Sequence, residues 1–240
     1  MNTPVLLDLF CGGGGAAAGY EYAGFKVIGV DVERQDSYPY EMFQGDALAM
    51  AAGFVAMLRP SFIHASPPCQ ASSPTEAFRR RRTMRNPTTP EPVNLIPETR
   101  DRLDQLGIPW VMENVAYART GLRRDLMLCG EMFGLDVYRH RWFEFGRGAP
   151  VPRQPEHHRH HGLAMRNGYL PTDERPMMTV TGRNSHHSKA WVARAALAMG
   201  TPWLSRDLNA VCEAIPPSYT KYIGDTFMSD LNVRTPARSD

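Results

Sequence analysis

"DLFCGGGGAAAG", residues 8–19, carries the strongest structural signal in the chain. An apolar run, "PVLLDLF" (4–10), enters four glycines, and a small-residue run, "AAAGYEYAG" (16–24), leaves them. This reads as strand, tight turn, helix. Glycine lets the backbone turn sharply and approach a ligand closely. The next strand, "KVIGVDVE" (26–33), carries Asp31. An acidic residue about twenty positions beyond such a turn suits a ribose hydroxyl. Gly12, Gly14 and Gly19 come near G-x-G-x-x-G without matching its spacing. The loop therefore predicts an adenosine-type cofactor and by itself leaves a nicotinamide dinucleotide open. Asp46, after "QG" at a further strand end, is a candidate acceptor for an adenine amino group.

The alternation continues. "DALAMAAGFVAML" (46–58) reads as a helix, "SFIHAS" (61–66) as a strand, "PETRDRLDQLG" (97–107) as a helix stopped by Gly107, and "PWVMENV" (109–115) as a strand. Strands alternating with helices predict an α/β, Rossmann-like, doubly wound and mainly parallel sheet. Residues 71–95, rich in Pro, Thr, Ser and Arg, read as a long loop, and 146–176 as an irregular segment. The tail after about Ser229 reads as frayed.

The chain has 240 residues, 42% of them hydrophobic, enough for one sizeable domain with a small appendage. No apolar run approaches the ~20 residues of a membrane span, and "MNTPVLLDLF" has no basic start typical of a secretory signal. Cys11, Cys69, Cys129 and Cys212 match no disulfide or zinc spacing, which predicts free thiols and a cytoplasmic protein, in a bacterium or its host cell. Net charge is only +2, yet "FRRRRTMR" (78–85) holds five arginines and "PRQPEHHRHHGLAMR" (152–166) three more with four histidines. Local basic runs on a near-neutral chain suit a polyanion met in one cleft.

"HASPPCQASS" (64–73) then stands out. It sets Cys69 on a rigid turn at a strand end, a pedestal that a buried structural thiol does not need. The following strand ends in "ENV", giving Glu113, and "YRHRWFEF" (138–145) holds Arg139 and Arg141 two residues apart. On an extended segment that spacing points both to one side. In an open α/β sheet the strand ends share one crevice with the glycine loop. A thiolate adding at C6 of cytosine makes C5 nucleophilic, a carboxyl near N3 can hold the neutralising proton, and an arginine can hold O2 or the thiolate.

Taken together, these motifs resemble those of the DNA (cytosine-5)-methyltransferases. "DLFCGGGG" is similar to the family's cofactor loop, "SPPCQ" to its nucleophile motif, "ENV" to its glutamate motif and "RHR" to its Arg-x-Arg. "RPMMTVTGR" (175–183) and "NAVCEAIPPSYTKYIG" (209–224) resemble its late motifs, in the same order. The resemblance implies S-adenosylmethionine as methyl donor, S-adenosylhomocysteine as product and double-stranded DNA as substrate, with the target base flipped out.

The same resemblance makes Cys69 the nucleophile, Glu113 the N3 partner, and Arg139 and Arg141 the support of base and thiolate. Phe10, Cys11, Gly12, Gly13, Gly14, Asp31, Val32, Asp46, Ala47, Pro68, Ala214 and Ile215 would line the cofactor pocket. Gln70, Ser73, Arg79, Arg80, Arg81, Arg82, Arg175, Thr179 and Arg183 would meet nucleic acid. Residues 1–145 would form the cofactor-binding and catalytic domain, 146–204 a small target-recognition subdomain, and 205–240 a segment returning to the catalytic domain.

Three features depart from the family, one of them the long, proline-rich loop after Cys69. Cys212–Glu213 stand where it carries Gly-Asn, so an asparagine contact is lost. The recognition region, about thirty residues, predicts a short or relaxed target site, or help from a second subunit. A monomer and a homodimer are both open. A tRNA methyltransferase of the same family, a degenerate binding module and a nicotinamide oxidoreductase are the rival readings. No metal is expected: four histidines in "HHRHH" cannot easily turn to one ion, and Cys11, Cys129 and Cys212 read as packing residues.

Overall fold

A computed structural model describes residues 3–68, 93–115, 121–158, 161–182 and 186–234. The described residues build a seven-stranded sheet in the order β3-β2-β1-β4-β5-β8-β6. These strands are β1 (Val5–Leu9), β2 (Lys26–Asp31), β3 (Glu41–Gln44), β4 (Phe62–Ala65), β5 (Trp110–Val115), β6 (Leu126–Leu128) and β8 (Arg141–Gly146). β1 to β5 are mutually parallel, and β8 runs antiparallel to both β5 and β6. The expected doubly wound, mainly parallel architecture is present.

Both faces of the sheet are covered, which is why its central strands read as apolar runs without alternation. Leu6, Val27, Phe62 and Val111 pack on one side against α1 (Gly15–Tyr22) and α6 (Pro217–Arg234). Leu7, Val30, Ile63, Trp110 and Met112 pack on the other against α2 (Ala47–Leu58) and α3 (Ile96–Leu106). α3 ends at Gly107, whose φ of 71° is the left-handed stop expected of it.

The small residues of α1 have a packing reason. A Cβ on Gly19 would overlap Pro217 O and the Thr220 hydroxyl, so α6 lies directly on α1. Thr220 Oγ1 donates to Ala16 O at 2.8 Å across that contact. α6 also corrects the expectation of a frayed tail: it runs to Arg234, because Leu231 still packs on the core.

A third apolar cluster gathers Val137, Met178, Val180, Trp191, Leu204 and Val211. It joins a two-stranded sheet, β7 (Val137–Tyr138) with β9 (Met178–Thr179), to α4 (Lys189–Ala198) and α5 (Leu208–Glu213). Among the described residues, no helix is long and apolar enough to cross a membrane.

Candidate active site

The parallel strands β1, β2, β4 and β5 end at one edge of the sheet, and antiparallel β8 begins there. β2 and β4 flank β1, so the strand order reverses beside β1 and opens a crevice at that edge.

The glycine loop turns through three left-handed residues: Phe10 at φ 58°, Gly12 at 48° and Gly14 at 81°. Phe10 pays for this as a non-glycine residue, typically about 1–3 kcal/mol. Asp31 holds the turn, accepting from Gly12 N through Oδ2 and from Glu33 N through Oδ1, each at 3.0 Å. A carboxylate oxygen has more than one lone pair, so Asp31 keeps acceptor capacity for a ligand hydroxyl. A Cβ on Gly12 would meet nothing within 4 Å, leaving room for a ligand against the backbone.

The C-terminal motifs pack on the other glycines. Trp203 Nε1 donates to Gly13 O at 2.9 Å, and a Cβ on Gly15 would overlap Ile215 O. Val32 is exposed at the rim, whereas Ala214 and Ile215 are buried. Cys11 turns inward beneath the loop, among the core residues near Tyr38 and Gly29. Asp46 is the N-cap of α2, accepting from Leu48 N and Ala49 N, with Ala47 buried behind it.

Glu113 and Arg141 are brought together. β5 and β8 pair with Val115 opposite Arg141, which sets Arg141 Nε 2.7 Å from Glu113 Oε1. Both side chains are buried. Burial pushes the Glu113 carboxyl up from its ordinary value, while the charges of Arg141 and Arg139 and a hydrogen bond from Ser66 pull it partly back.

Ser66 belongs to a buried chain. Tyr20 Oη lies 3.0 Å from His64 Nδ1, and His64 Nε2 lies 2.8 Å from Ser66 Oγ. Burial holds the imidazole neutral, its pKa lowered to about 3. One ring nitrogen then donates and the other accepts. With the Ser66 proton given to Glu113, Nε2–H donates to Ser66 and Nδ1 accepts from Tyr20. Every hydrogen in the chain points toward Glu113.

The turn after β4 is fixed from β5. Asn114 Nδ2 donates to Pro67 O at 3.0 Å, and Pro68 follows, exposed. Cys69, Gln70, Ser73, Arg79, Arg80, Arg81, Arg82 and Arg183 lie outside the described residues.

Arg139 parts from Arg141. Its guanidinium donates to Val180 O (2.5 Å), Cys212 O (2.9 Å) and Ala214 O (2.7 Å). Tyr219 Oη donates to its carbonyl at 2.7 Å. Burial, with Arg141 adding to it, lowers its pKa to about 9. Arg139 thus ties β8's entry to both late motifs. Thr179 pairs with Tyr138 in the small sheet, and Arg175 stands exposed on a turn closed with Thr172.

No protein-family model matches the chain, and no curated protein is similar to it in sequence. Solved structures are. One, described as a DNA modification methyltransferase encoded within an E. coli prophage, is 13% identical with a TM-score of 0.61, covering 95% of this chain and 99% of its own. A mutant of Spodoptera frugiperda DNMT2 has a TM-score of 0.63 at 11% identity, over 94% of this chain and 99% of its own. The Entamoeba histolytica methyltransferase EhMeth gives 0.63 at 11%, over 96% and 99%. The chain has the fold of these methyltransferases.

Within that fold, sequence reasoning missed Ser66, His64, Asn114 and Tyr219 as parts of the site. Two left a signal. His64 is the polar residue in the otherwise apolar strand "FIHA", and Asn114 sits inside the quoted "ENV".

Proposed function

We propose that the protein is an S-adenosylmethionine-dependent DNA (cytosine-5)-methyltransferase. The observation that carries this reading is the buried Glu113–Arg141 pair beside the Ser66–Pro67–Pro68 turn, on the sheet edge that holds the glycine loop. S-adenosylmethionine supplies the methyl group. Asp31 would accept its ribose hydroxyls, Phe10 would lie against its adenine, and the open backbone at Gly12 would admit it closely.

The Cys69 thiolate adds to C6 of a flipped-out cytosine while the Glu113 carboxyl gives its proton to N3. Charge that would collect on the ring is thereby neutralised. Burial favours the protonated form of Glu113, and Arg141 orients the carboxyl and would stabilise its anion once the proton has left. C5 would then take the methyl group of S-adenosylmethionine, whose sulfur keeps the electron pair of the broken bond and leaves as S-adenosylhomocysteine. Loss of the C5 proton to solvent re-forms the double bond, expels the thiolate, and lets N3 return its proton to Glu113.

Arg139 serves as a positioning residue, holding the late motifs against the Arg-x-Arg segment. The segment 146–204, with Arg175 and Thr179, would face the DNA, and the arginines at 79–82 would meet phosphates, giving affinity rather than sequence choice.

Radiolabelled S-adenosylmethionine offered with duplex DNA, and separately with tRNA, tests the reading. Label in cytosine of DNA, lost in Glu113→Gln, is expected. Label only in tRNA would move the protein to the RNA branch, and absence of cofactor binding would overturn the proposal.

A further inference from the structure

Behind the Arg-x-Arg segment, a second cluster of side chains stands apart from the catalytic groups. Cys129 follows β6, His140 lies between Arg139 and Arg141, and His157 comes from the irregular segment after β8. One ligand atom from each lies within 4.8 Å of the others. His140 Nε2 and His157 Nε2 are 3.3 Å apart, with ring centroids 5.0 Å apart and nearly perpendicular. Tetrahedral zinc, with bonds of about 2.0–2.1 Å to nitrogen and ~2.3 Å to sulfur, needs ligand atoms roughly 3.3–3.6 Å apart. Two imidazoles so arranged match that separation.

Further polar groups stand around the three. Cys129 is fully buried, and its sulfur accepts backbone N–H groups of Arg139, Glu131 and Gly130, donors that also stabilise a metal thiolate. Glu131 Oε2 lies 3.7 Å from His157 Nε2, adjacent for the fourth position, while Glu131 Oε1 accepts from His158 N. Tyr138 packs on the His140 ring at 4.5 Å between centroids. Gln154 carries the irregular segment along β6 through two bonds to the Met127 backbone, and so delivers His157.

We infer that Cys129, His140 and His157 bind one structural zinc ion, with Glu131 beside them, pinning the Arg-x-Arg segment from behind. Binding sends the thiol proton of Cys129 to solvent, and both imidazoles bind neutral through Nε2. The site accounts for one histidine of the "HHRHH" run and for Cys129, which the sequence placed among packing residues. It does not rest on the methyltransferase reading, because no group in it touches substrate.

The test uses the untagged full chain, purified without chelator from zinc-supplemented medium. Elemental analysis is expected to give about one zinc per chain, and under a tenth of that in Cys129→Ser and His157→Ala. His158→Ala, at an exposed neighbour, keeps the metal. Cobalt added to the zinc-free protein is expected to give visible d–d bands and a thiolate-to-cobalt charge-transfer band that vanishes in Cys129→Ser. Unmodified protein, folded by circular dichroism, that holds no zinc and gives no such band would overturn the inference. So would a band that survives Cys129→Ser.

Discussion

Asn114 Nδ2 donates a 3.0 Å hydrogen bond to Pro67 O, so the residue after Glu113 holds the turn that precedes Cys69. The carboxyl and the Ser66–Pro68 turn are thereby set by one strand end. Asn114→Ala leaves a buried carbonyl unpaired, at a cost of about 1–3 kcal/mol. Its larger effect falls on chemistry: kcat for methyl transfer drops on the order of 100-fold, as misplacement of a reacting group by an ångström does. The dissociation constant for S-adenosylmethionine, measured by calorimetry, stays unchanged.

Arg139 carries a structural burden that Arg141 does not. Removing its guanidinium strands the carbonyls of Val180, Cys212 and Ala214. Arg139→Ala should lose ~3 kcal/mol or more in urea denaturation. Arg141→Lys, which keeps a charge near Glu113, should unfold close to wild type yet lose most activity.

The α1–α6 contact predicts opposite outcomes for two glycines. Gly19→Ala drives a Cβ into Pro217 O and Thr220, and thermal denaturation should register a loss of about 2 kcal/mol or more. Gly53, exposed in α2 with nothing within 4 Å of its Cβ position, should gain roughly 0.5–1 kcal/mol on substitution by Ala.

Two buried groups, Asp8 and His64, pull the dependence of stability on pH in opposite directions. Asp8, fully buried beside Tyr38, has its pKa raised to about 8, chiefly by burial. The native state therefore holds a proton that the unfolded chain has released, and stability falls as pH rises from about 4 to 8. His64, lowered to about 3, acts with the opposite sign: its contribution is present above 6.5 and lost as pH falls toward 3. The two oppose each other in acid, while between about 6.5 and 8 the slope from Asp8 remains. Over that window, wild type should lose on the order of 2 kcal/mol relative to Asp8→Asn. Denaturant midpoints across the window check this.

Most of the fold is legible in the sequence because burial on both faces writes apolar runs such as "VLLDL" and "KVIGVD", and because Gly107 and Asp46 mark helix ends chemically. The pairing of β8 with β5 is not legible. Nothing local to "RWFEF" says that Arg141 lands opposite Val115 and so beside Glu113. Spacing alone groups Arg139 with Arg141, yet long-range packing sends one guanidinium to backbone carbonyls and the other to a carboxylate. Cys129, His140 and His157 escape for the same reason, since they meet only once β6, β8 and the segment after it are folded together. The fraying expected after Ser229 fails over 230–234 because polar residues there hide the apolar side of α6, which Phe227 and Leu231 supply.

The proposed chemistry turns on a covalent bond between Cys69 and a cytosine in DNA. Duplex DNA carrying 5-fluorocytosine in many sequence contexts, mixed with the protein and S-adenosylmethionine, tests it most directly on a denaturing gel. Fluorine at C5 blocks the final elimination, so a protein–DNA band that withstands denaturation and disappears in Cys69→Ala is the predicted result. A folded protein that binds S-adenosylmethionine yet gives no such band with DNA, or the same band in Cys69→Ala, would contradict the account.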